Sequence, residues 1–176
     1  MEEEKILDAL RQACPDAILS TAVSLGDAVA VIRGESLAGV AAFLRGAPLR
    51  MDMLLDLTCV HFPDRPESFE MVYHFLSLDT QARLRVKAGL PAESPAIASL
   101  TGTWKNASWL EREVYDMFGV RFEGHPDLRR LLLYDGFEGH PLRKDYPLGY
   151  EEPQFSFNYD EIDVSKPHAG EKPRGA

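Results

Sequence analysis

Two kinds of apolar periodicity follow one another along the first 90 residues, and they constrain the fold more than any other feature. Helical spacing of apolar residues predicts a first helix over residues 4–13. Two strand patterns, at 17–25 and 28–33, then flank Gly26-Asp27, a dipeptide suited to a tight hairpin turn. The chain is therefore expected to begin with a helix followed by a β-hairpin.

A second helix and three further strands are predicted after the hairpin. Ser36 can cap this helix and Gly46 can end it. Strand patterns follow at 50–60, 68–78 and 82–90, and they indicate an antiparallel meander. In the first of these strands, strict alternation predicts one shared face formed by Met51, Met53, Leu55, Leu57 and Cys59.

The resulting order, αββαβββ, predicts the fold class. Helices and antiparallel strands arranged in this way are typical of an α+β domain, with the helices packed on one face of an antiparallel sheet. A chain of 176 residues can bury a single sizeable core. We therefore expect residues 1–90 to form one α+β domain, followed by a helical segment and an extended C-terminal arm.

Charge and composition exclude several classes of partner. The chain has 19 Lys and Arg against 28 Asp and Glu, a net charge of −9 that repels nucleic acid phosphates. Cys14 and Cys59 lack a second Cys at CxxC spacing, so neither a disulfide framework nor a cysteine-ligated cluster is predicted. No apolar run approaches the roughly 20 residues of a membrane span, and the N-terminus does not resemble a secretory signal. We expect a reducing cytosol, no nucleic acid partner and no direct membrane insertion.

Helical patterns return after Pro91 and Pro95. Residues 97–119 are predicted to form two helical pieces, broken near Gly102. The second piece has a buried stripe of apolar residues at helical spacing, formed by Leu110, Val114, Met117 and Phe118. Gly119 stands where a left-handed helix cap is expected.

The triplet Gly-His-Pro occurs twice, at 124–126 and 139–141. His125 and His140 could bind a metal ion together with a carboxylate from Asp127, Glu138 or Asp145. Against this, each His precedes a proline, and no short helical ligand spacing such as HExxH is present. The preferred interpretation is that both histidines are hydrogen-bonded parts of turns.

Three carboxylates in the helix before these triplets invite an acid–base interpretation. Glu111 and Glu113 are two residues apart and project from different sides of a helix, so they cannot readily share a proton or a metal ion. Arg112 and Asp116 are four apart and are predicted to pair along the helix surface. A helix with one apolar and one polar face is the preferred interpretation.

Two long blocks of sequence carry a family resemblance. They read EREVYDMFGVRFEGHPDLRRLLL at 111–133 and GFEGHPLRKDYPL at 136–148. Together they resemble the C subunit of NADH-quinone oxidoreductase, the 30 kDa subunit family of respiratory Complex I. The resemblance implies a non-catalytic scaffold subunit in the hydrophilic arm of a proton-translocating enzyme. It would dock on the D subunit, which helps to form the quinone site and is called the quinone-site subunit below.

The resemblance has further implications for cofactors, partners and location. This chain is expected to have no active site and to bind no cofactor, while FMN and iron–sulfur clusters would belong to other subunits that pass electrons from NADH to quinone. Partners would be the quinone-site subunit and neighbouring iron–sulfur subunits, at the cytoplasmic side of the cell inner membrane. Three alternatives remain: the equivalent subunit of a related membrane-bound hydrogenase or other quinone-linked complex, a free-standing metal-dependent enzyme using His125 and His140, and a generic acidic adaptor.

The resemblance also implies a set of partner-interface residues within the two blocks. In the first block they are Glu111, Arg112, Glu113, Asp116, Phe118, Gly119, Phe122, Gly124, His125, Pro126, Leu128, Arg129 and Arg130. In the second block they are Gly136, Phe137, Gly139, His140, Pro141, Arg143, Lys144, Asp145, Tyr146 and Pro147. Their expected roles are to fix turns and to neutralise charge at the junction between subunits.

The end of the chain has a different composition from the rest. From Tyr146 onward, Pro, Gly and aromatic residues occur without helical or alternating periodicity. Such a segment cannot bury its own aromatic side chains, so it is expected to lie on a partner or to be partly disordered. The predicted division is an α+β domain at 1–90, a docking segment with helices at 91–148 and a tail at 149–176.

Overall fold

The computed structural model describes residues 2–134 and 136–147, with Glu2 described by its backbone alone. The predictions for the tail at 149–176 therefore lie outside the described residues. The helices are α1 (Glu2–Ala13), α2 (Leu37–Arg45) and α3 (Ala107–Phe118), with a 3₁₀ turn at Gly34–Ser36. The strands are β1 (Ile18–Ser24), β2 (Asp27–Arg33), β3 (Met53–His61), β4 (Phe69–Leu76), β5 (Arg83–Leu90), β6 (Ala96–Ala98) and β7 (Arg121–Glu123).

The main sheet has five strands in the order β1-β2-β5-β4-β3. The predicted hairpin and meander are both present, and the α+β class is confirmed. The sheet is mixed, however, because β2 pairs with β5 in parallel. Helix α2 in the connection from β2 to β3 returns the chain to the same end of the sheet, so β3 and then β5 run in the direction of β2.

One face of the sheet forms the core. Tyr73 of β4 and Ala30 of β2 lie on either side of Val86 of the central strand β5, and all three side chains are inaccessible to solvent. Leu10 of α1, Leu44 of α2 and helix α3 belong to the same buried cluster. The helices therefore cover this face, while the opposite face carries polar side chains in alternate positions.

Strand β3 departs from the predicted alternation. Met53 and Leu55 are each 42% exposed, whereas Leu54 and Leu57 are buried. An irregularity in the pairing with β4, between Leu54 and Asp56, shifts the alternation by one residue. The predicted shared face is therefore wrong for Met53 and Leu55, although Met51, Leu57 and Cys59 are buried as expected.

Two predicted turn features differ in detail. The hairpin loop is Leu25-Gly26, both with positive φ, and Asp27 already pairs with Ser24 as the first residue of β2. Ser36 occupies the position before α2, but its side chain makes no capping hydrogen bond. The 3₁₀ turn that leads into α2 replaces the predicted side-chain cap.

The segment before α3 contains a short strand where a helical piece was predicted. Strand β6 pairs in parallel with β7, a pairing that no sequence pattern indicated, and buried Ile97 lies opposite buried Phe122. An apolar run of this length fits a strand or a helix equally well, so its tertiary partner decides. The predicted cap at Gly119 is confirmed by a φ of 76° and a hydrogen bond from its N–H to Tyr115 O.

Candidate docking site

Helix α3 is the element around which the two sequence blocks are arranged. Its predicted apolar stripe is present, with Val114, Met117 and Phe118 buried. Glu111 and Asp116, which helical spacing assigns to a polar helix face, are also completely buried. The prediction of a solvated polar face is therefore wrong for these two carboxylates, because other parts of the chain cover them.

The carboxylate of Glu111 fastens the loop before α3 to the helix. Its oxygens accept hydrogen bonds from Ser99 Oγ at 2.7 Å and from the N–H of Leu100 at 2.6 Å. Burial raises the pKa of Glu111, and the two hydrogen bonds only partly oppose this.

The carboxylate of Asp116 organises the segment that follows the first Gly-His-Pro triplet. Arg130 Nη1 donates to Asp116 Oδ1 at 2.8 Å. The consecutive N–H groups of Leu131, Leu132 and Leu133 donate to Oδ2 at 3.0, 2.8 and 2.9 Å. Burial alone would raise the pKa of Asp116, but these four donors outweigh it and hold that pKa below its ordinary value.

Two arginines connect α3 with both blocks. The predicted pair between Arg112 and Asp116 is wrong, because Arg112 instead donates to the carbonyl oxygens of Arg129 and Arg130 at 3.1 and 3.0 Å. Arg130 Nη2 reaches onward to the carbonyl oxygens of Phe137 and Gly139 at 2.9 and 3.1 Å. One guanidinium thus joins the helix to the second block.

The second block caps the C-terminal end of α3, whose last carbonyl oxygens lack partners within the helix. His140 Nδ1 lies 2.9 Å from Asp116 O, the N–H of Leu142 donates to Met117 O at 3.1 Å, and Arg143 Nε donates to Phe118 O at 2.6 Å. With the Gly119 N–H bonded to Tyr115 O, the last four carbonyl groups of α3 are all satisfied.

Gly119 is required here for two reasons. Its φ of 76° lies in the left-handed region, which side chains rarely adopt. A Cβ atom at this position would lie 2.6 Å from the His140 ring and 2.9 Å from Arg143 Nη2. The close packing of the second block against α3 therefore depends on a glycine.

Both histidines of the doubled triplet are hydrogen-bonded within turns, in agreement with the preferred interpretation. His125 Nδ1 accepts the N–H of Asp127 at 3.0 Å, so Nε2 carries the proton and donates to Ser108 O at 3.1 Å. Burial, together with Arg143 and Arg130, lowers the pKa of His140. Over residues 2–134 and 136–147, no group of three or more His, Cys, Asp and Glu residues could hold a metal ion.

His61 makes a structural contact that the sequence did not indicate. Its Nδ1 accepts the N–H of Lys144 at 2.9 Å, and its ring stacks on Phe69 with centroids 4.4 Å apart. The guanidinium of Arg143 lies over the same Phe69 ring, 5.0 Å from its centroid. His61 is 83 residues from Lys144 in the chain, so no local pattern could have indicated this link between β3 and the second block.

The predicted interface residues differ widely in exposure. Those that are buried are Glu111, Asp116, Phe118 and Phe122, and those that are half-buried are Arg112, Gly119, His125, Leu128, Arg130, Phe137, His140, Pro141, Arg143 and Tyr146. Those that are exposed are Glu113, Gly124, Pro126, Arg129, Gly136, Gly139, Lys144, Asp145 and Pro147. The structure thus brings the two blocks together on α3, and contact with a partner stays a prediction for every member of the set.

The open face of the sheet is a second place where polar groups gather. Arg85 pairs with Asp27 at 3.0 Å, and Lys87 pairs with Glu70 at 2.7 Å, beside shallow grooves. Neither groove brings a Ser, Thr or Cys nucleophile to a base, so the arrangement fits paired surface charges.

The fold places the chain in a class of α+β chains that includes one from an archaeal respiratory membrane complex. That chain belongs to the membrane-bound sulfane sulfur reductase and matches over the whole of both chains, with a TM-score of 0.75 and 19% identity. This likeness shows the fold alone. A trypsin-resistant fragment (1–134) of Nqo5 matches 73% of this chain and all of the fragment, with a TM-score of 0.63 and 31% identity.

Sequence comparisons define the family. Residues 30–152 match the sequence-family model that describes the 30 kDa subunit of respiratory-chain NADH dehydrogenase. The C subunit of NADH-quinone oxidoreductase from Roseiflexus sp. (strain RS-1) is 45% identical over 97% of this chain and 99% of its own length. The corresponding subunit of Rhodobacter capsulatus is 47% identical over 90% of this chain and 80% of its own length. The chain therefore belongs to the 30 kDa subunit family of respiratory-chain NADH dehydrogenase, which confirms the resemblance of the two blocks.

Proposed function

We propose that this chain is a non-catalytic scaffold subunit in the hydrophilic arm of a proton-translocating NADH-quinone oxidoreductase. The observation that carries the proposal is the 45% identity, along nearly the whole of both chains, to a relative named as the C subunit of that enzyme. The chain docks on the quinone-site subunit and supports electron transfer from NADH to quinone. FMN and the iron–sulfur clusters that carry the electrons belong to neighbouring subunits.

The arrangement on α3 supports a scaffold role. Three of the side chains considered above as catalytic or metal-binding groups are engaged within the chain: Glu111 and Asp116 are buried acceptors of backbone hydrogen bonds, and both ring nitrogens of His125 have partners. Groups held in this way fix the shape of a segment. We therefore assign helix α3 and the two blocks to contact with partner subunits. From here on, the name docking segment is used for the described residues of this part of the predicted segment at 91–148, which are residues 107–134 and 136–147.

We place the subunit peripherally, on the cytoplasmic side of the cell membrane. Across the part of the chain that the structure describes, no helix has both the length and the apolar content to cross a membrane. The association with a membrane is then made through partner subunits.

Purification of the tagged chain from detergent-solubilised membranes of the organism tests the proposal. We expect a multi-subunit iron–sulfur complex to accompany it, with NADH-dependent quinone reduction in the same fraction. The isolated chain should be colourless and should contain no stoichiometric iron or zinc. Recovery of the folded chain alone in good yield, or one tightly bound metal ion per isolated chain, would contradict the proposal.

A further inference from the structure

We infer that His61 and the second block form a pH-sensitive latch, in which protonation of the imidazole exchanges its partner from the backbone N–H of Lys144 to the carboxylate of Asp145. The latch joins strand β3 of the sheet to the last described residues of the chain. The Asp145 carboxylate lies at the surface while the imidazole is neutral, and it turns towards the ring when the imidazole is charged. Such a latch is a property of this chain alone and does not depend on the proposed function.

The neutral state of the latch is the one that the structure shows. The N–H of Lys144 lies 2.9 Å from His61 Nδ1, and a backbone N–H can only donate. Nδ1 therefore offers its lone pair, and the ring proton is on Nε2. The ring is also held in place, because 5% of the His61 side chain is exposed and the imidazole stacks on Phe69 with an angle of 8° between the ring planes.

A second proton on the imidazole of His61 removes this contact. An imidazolium ring carries an N–H group at both nitrogens and has no acceptor, so Nδ1 and the N–H of Lys144 would face each other as two donors. Histidine is the side chain that ordinarily changes its charge between about pH 5 and pH 8. The hydrogen bond between β3 and the second block is therefore of a kind that acidification breaks.

The partner for the charged form already lies beside the ring. Asp145 Oδ1 is 3.9 Å from His61 Nδ1, which is too far for a hydrogen bond in the observed state. A movement of roughly 1 Å would bring these two atoms to bonding distance, and hydrogen bonds between charged groups are about twice as strong as neutral ones. The Asp145 side chain is 65% exposed, so it has room for this movement.

The other titratable groups near His61 do not take this role. Burial raises the pKa of the Cys59 thiol on the same strand to about 12, so this thiol stays uncharged. Glu70 of β4 pairs on the open face of the sheet with Lys87 at 2.7 Å, and Arg65 of the loop after β3 lies 4.0 Å from the same carboxylate. In the second block, Arg143 and Lys144 carry the same charge as an imidazolium ring. Asp145 thus supplies the opposite charge.

The exchange is confined to two residues because both of their neighbours are held. Arg143 Nε donates to Phe118 O at 2.6 Å, which fixes the residue before Lys144 to the end of α3. The N–H of Tyr146 donates to Arg143 O at 3.2 Å, and the Tyr146 ring stacks on Phe137 with centroids 6.3 Å apart. Only Lys144 and Asp145 lie between these points. The latch therefore changes the direction of one carboxylate and the charge at this surface, and the sheet stays as it is.

Nuclear magnetic resonance of the full-length, nitrogen-15-labelled chain between about pH 8 and pH 5 tests the latch. The ring nitrogens of His61 should show a bare Nδ1 at the upper pH and an N–H at both positions at the lower pH. Protection of the Lys144 amide from hydrogen exchange, corrected for the intrinsic rate at each pH, should fall about fivefold or more over the same range. The Tyr146 amide, which is bonded to Arg143 O, is the internal control and should keep its protection.

Two variants separate the parts of the latch. His61→Gln retains a side-chain oxygen that can accept the Lys144 N–H and cannot be protonated, so protection at Lys144 should no longer depend on pH. Asp145→Ala removes the acceptor for the charged ring, so release of the Lys144 amide should require a lower pH than in the wild type. The matched control, Asp127→Ala, removes a carboxylate of similar exposure, 59%, and should behave as the wild type.

Four results would overturn the latch. These are a His61 ring that stays neutral at pH 5, a Lys144 amide whose protection is unchanged when the ring is protonated, the wild-type pH response in His61→Gln, and equal behaviour of Asp145→Ala and Asp127→Ala. Asp145 and Asp127 are both strongly exposed, so their substitution is not expected to unfold the chain. Each of these measurements uses the isolated chain, so their failure would leave the proposed function untouched.

Discussion

The sheet domain and the part of the docking segment that follows α3 are stabilised by different interactions. In the sheet, buried side chains such as Tyr73, Phe75 and Val86 pack across neighbouring strands and against three helices. Among the described residues from 121 to 147, Phe122 is the single buried side chain, and the backbone is fixed mainly by hydrogen bonds to α3. Apolar packing is non-directional, so it does not require a particular atom at a particular place. A hydrogen bond to a buried charge requires one specific donor or acceptor atom, so the loss of that atom removes the interaction.

This difference predicts different responses to substitution. Loss of a packing residue should weaken the whole domain in one cooperative transition. Loss of a buried hydrogen-bonding group should release the docking segment while the sheet remains folded.

The largest local effect is expected for Asp116→Ala. The substitution leaves the Arg130 guanidinium and three backbone N–H groups without their acceptor, and breaking a buried charged pair costs roughly 3–5 kcal/mol. Hydrogen exchange at the amides of 131–133 should accelerate strongly, while the amides of β5 keep most of their protection.

Asp127→Ala is the matched control for that substitution. Asp127 pairs with Arg129 at 3.0 Å, and both side chains are more than half exposed. Pairs of this kind contribute about 0–1 kcal/mol, so exchange at 131–133 should stay near the wild-type rate. Equal effects of the two substitutions would show that Asp116 does not organise the segment.

Leu84→Ala examines the sheet side of the comparison. Leu84 is fully buried on the central strand β5, between Ala28 of β2 and Phe75 of β4. We expect a loss of about 2–5 kcal/mol in the free energy of unfolding, from lost burial and the cavity left behind. Thermal unfolding should remain a single transition at lower temperature. Exchange that accelerates in the docking segment alone would contradict the division into two regions.

Arg143→Ala should have an intermediate effect. The substitution removes the hydrogen bond to Phe118 O and the contact with the Phe69 ring, with an expected cost of about 1–3 kcal/mol. Arg129→Ala removes an exposed ion pair and should cost less than about 1 kcal/mol. Chemical unfolding of both variants provides the measurement, and a larger loss for Arg129→Ala would reverse the assignment.

The success of sequence prediction follows the same division. Most of the sheet could be predicted because the periodicity of apolar residues reports which side chains are buried. The prediction failed where strand pairing decided the local structure, at the irregularity near Leu54 and at the short strand β6. The docking segment could be recognised from its two blocks, but the partners of Asp116 and Arg112 could not be predicted from helical spacing. Spacing along a helix predicts which side chains are neighbours on its surface, and it does not show which distant segment covers them.

The smallest effect, and the sharpest contrast with Asp116, concerns the other buried carboxylate of α3. The pKa of Asp116 is lowered, so the folded state favours its charged form, and this stabilisation is lost as the pH falls below about 4. The pKa of Glu111 is raised, so the folded state holds its proton more tightly than the unfolded chain does. Ionisation of Glu111 therefore reduces stability as the pH rises above the ordinary glutamate pKa of about 4.3.

The substitution Glu111→Gln should remove the loss of stability that ionisation of Glu111 causes at higher pH, and it should keep the hydrogen bonds of that side chain. The amide oxygen can accept the N–H of Leu100, and the amide nitrogen can donate to Ser99 Oγ, so the free energy of unfolding should change by no more than about 1 kcal/mol at neutral pH. The free energy of unfolding should be measured from pH 4 to pH 8 for both proteins. The value for the variant should rise relative to that of the wild type as the pH rises, because only the wild type must ionise a buried carboxyl. The opposite trend, in which the variant becomes less stable relative to the wild type at higher pH, would mean that the folded chain stabilises the charged form of Glu111. The two carboxylates of α3 would then act alike, and the helix would hold both the loop before it and the segment after it through charge.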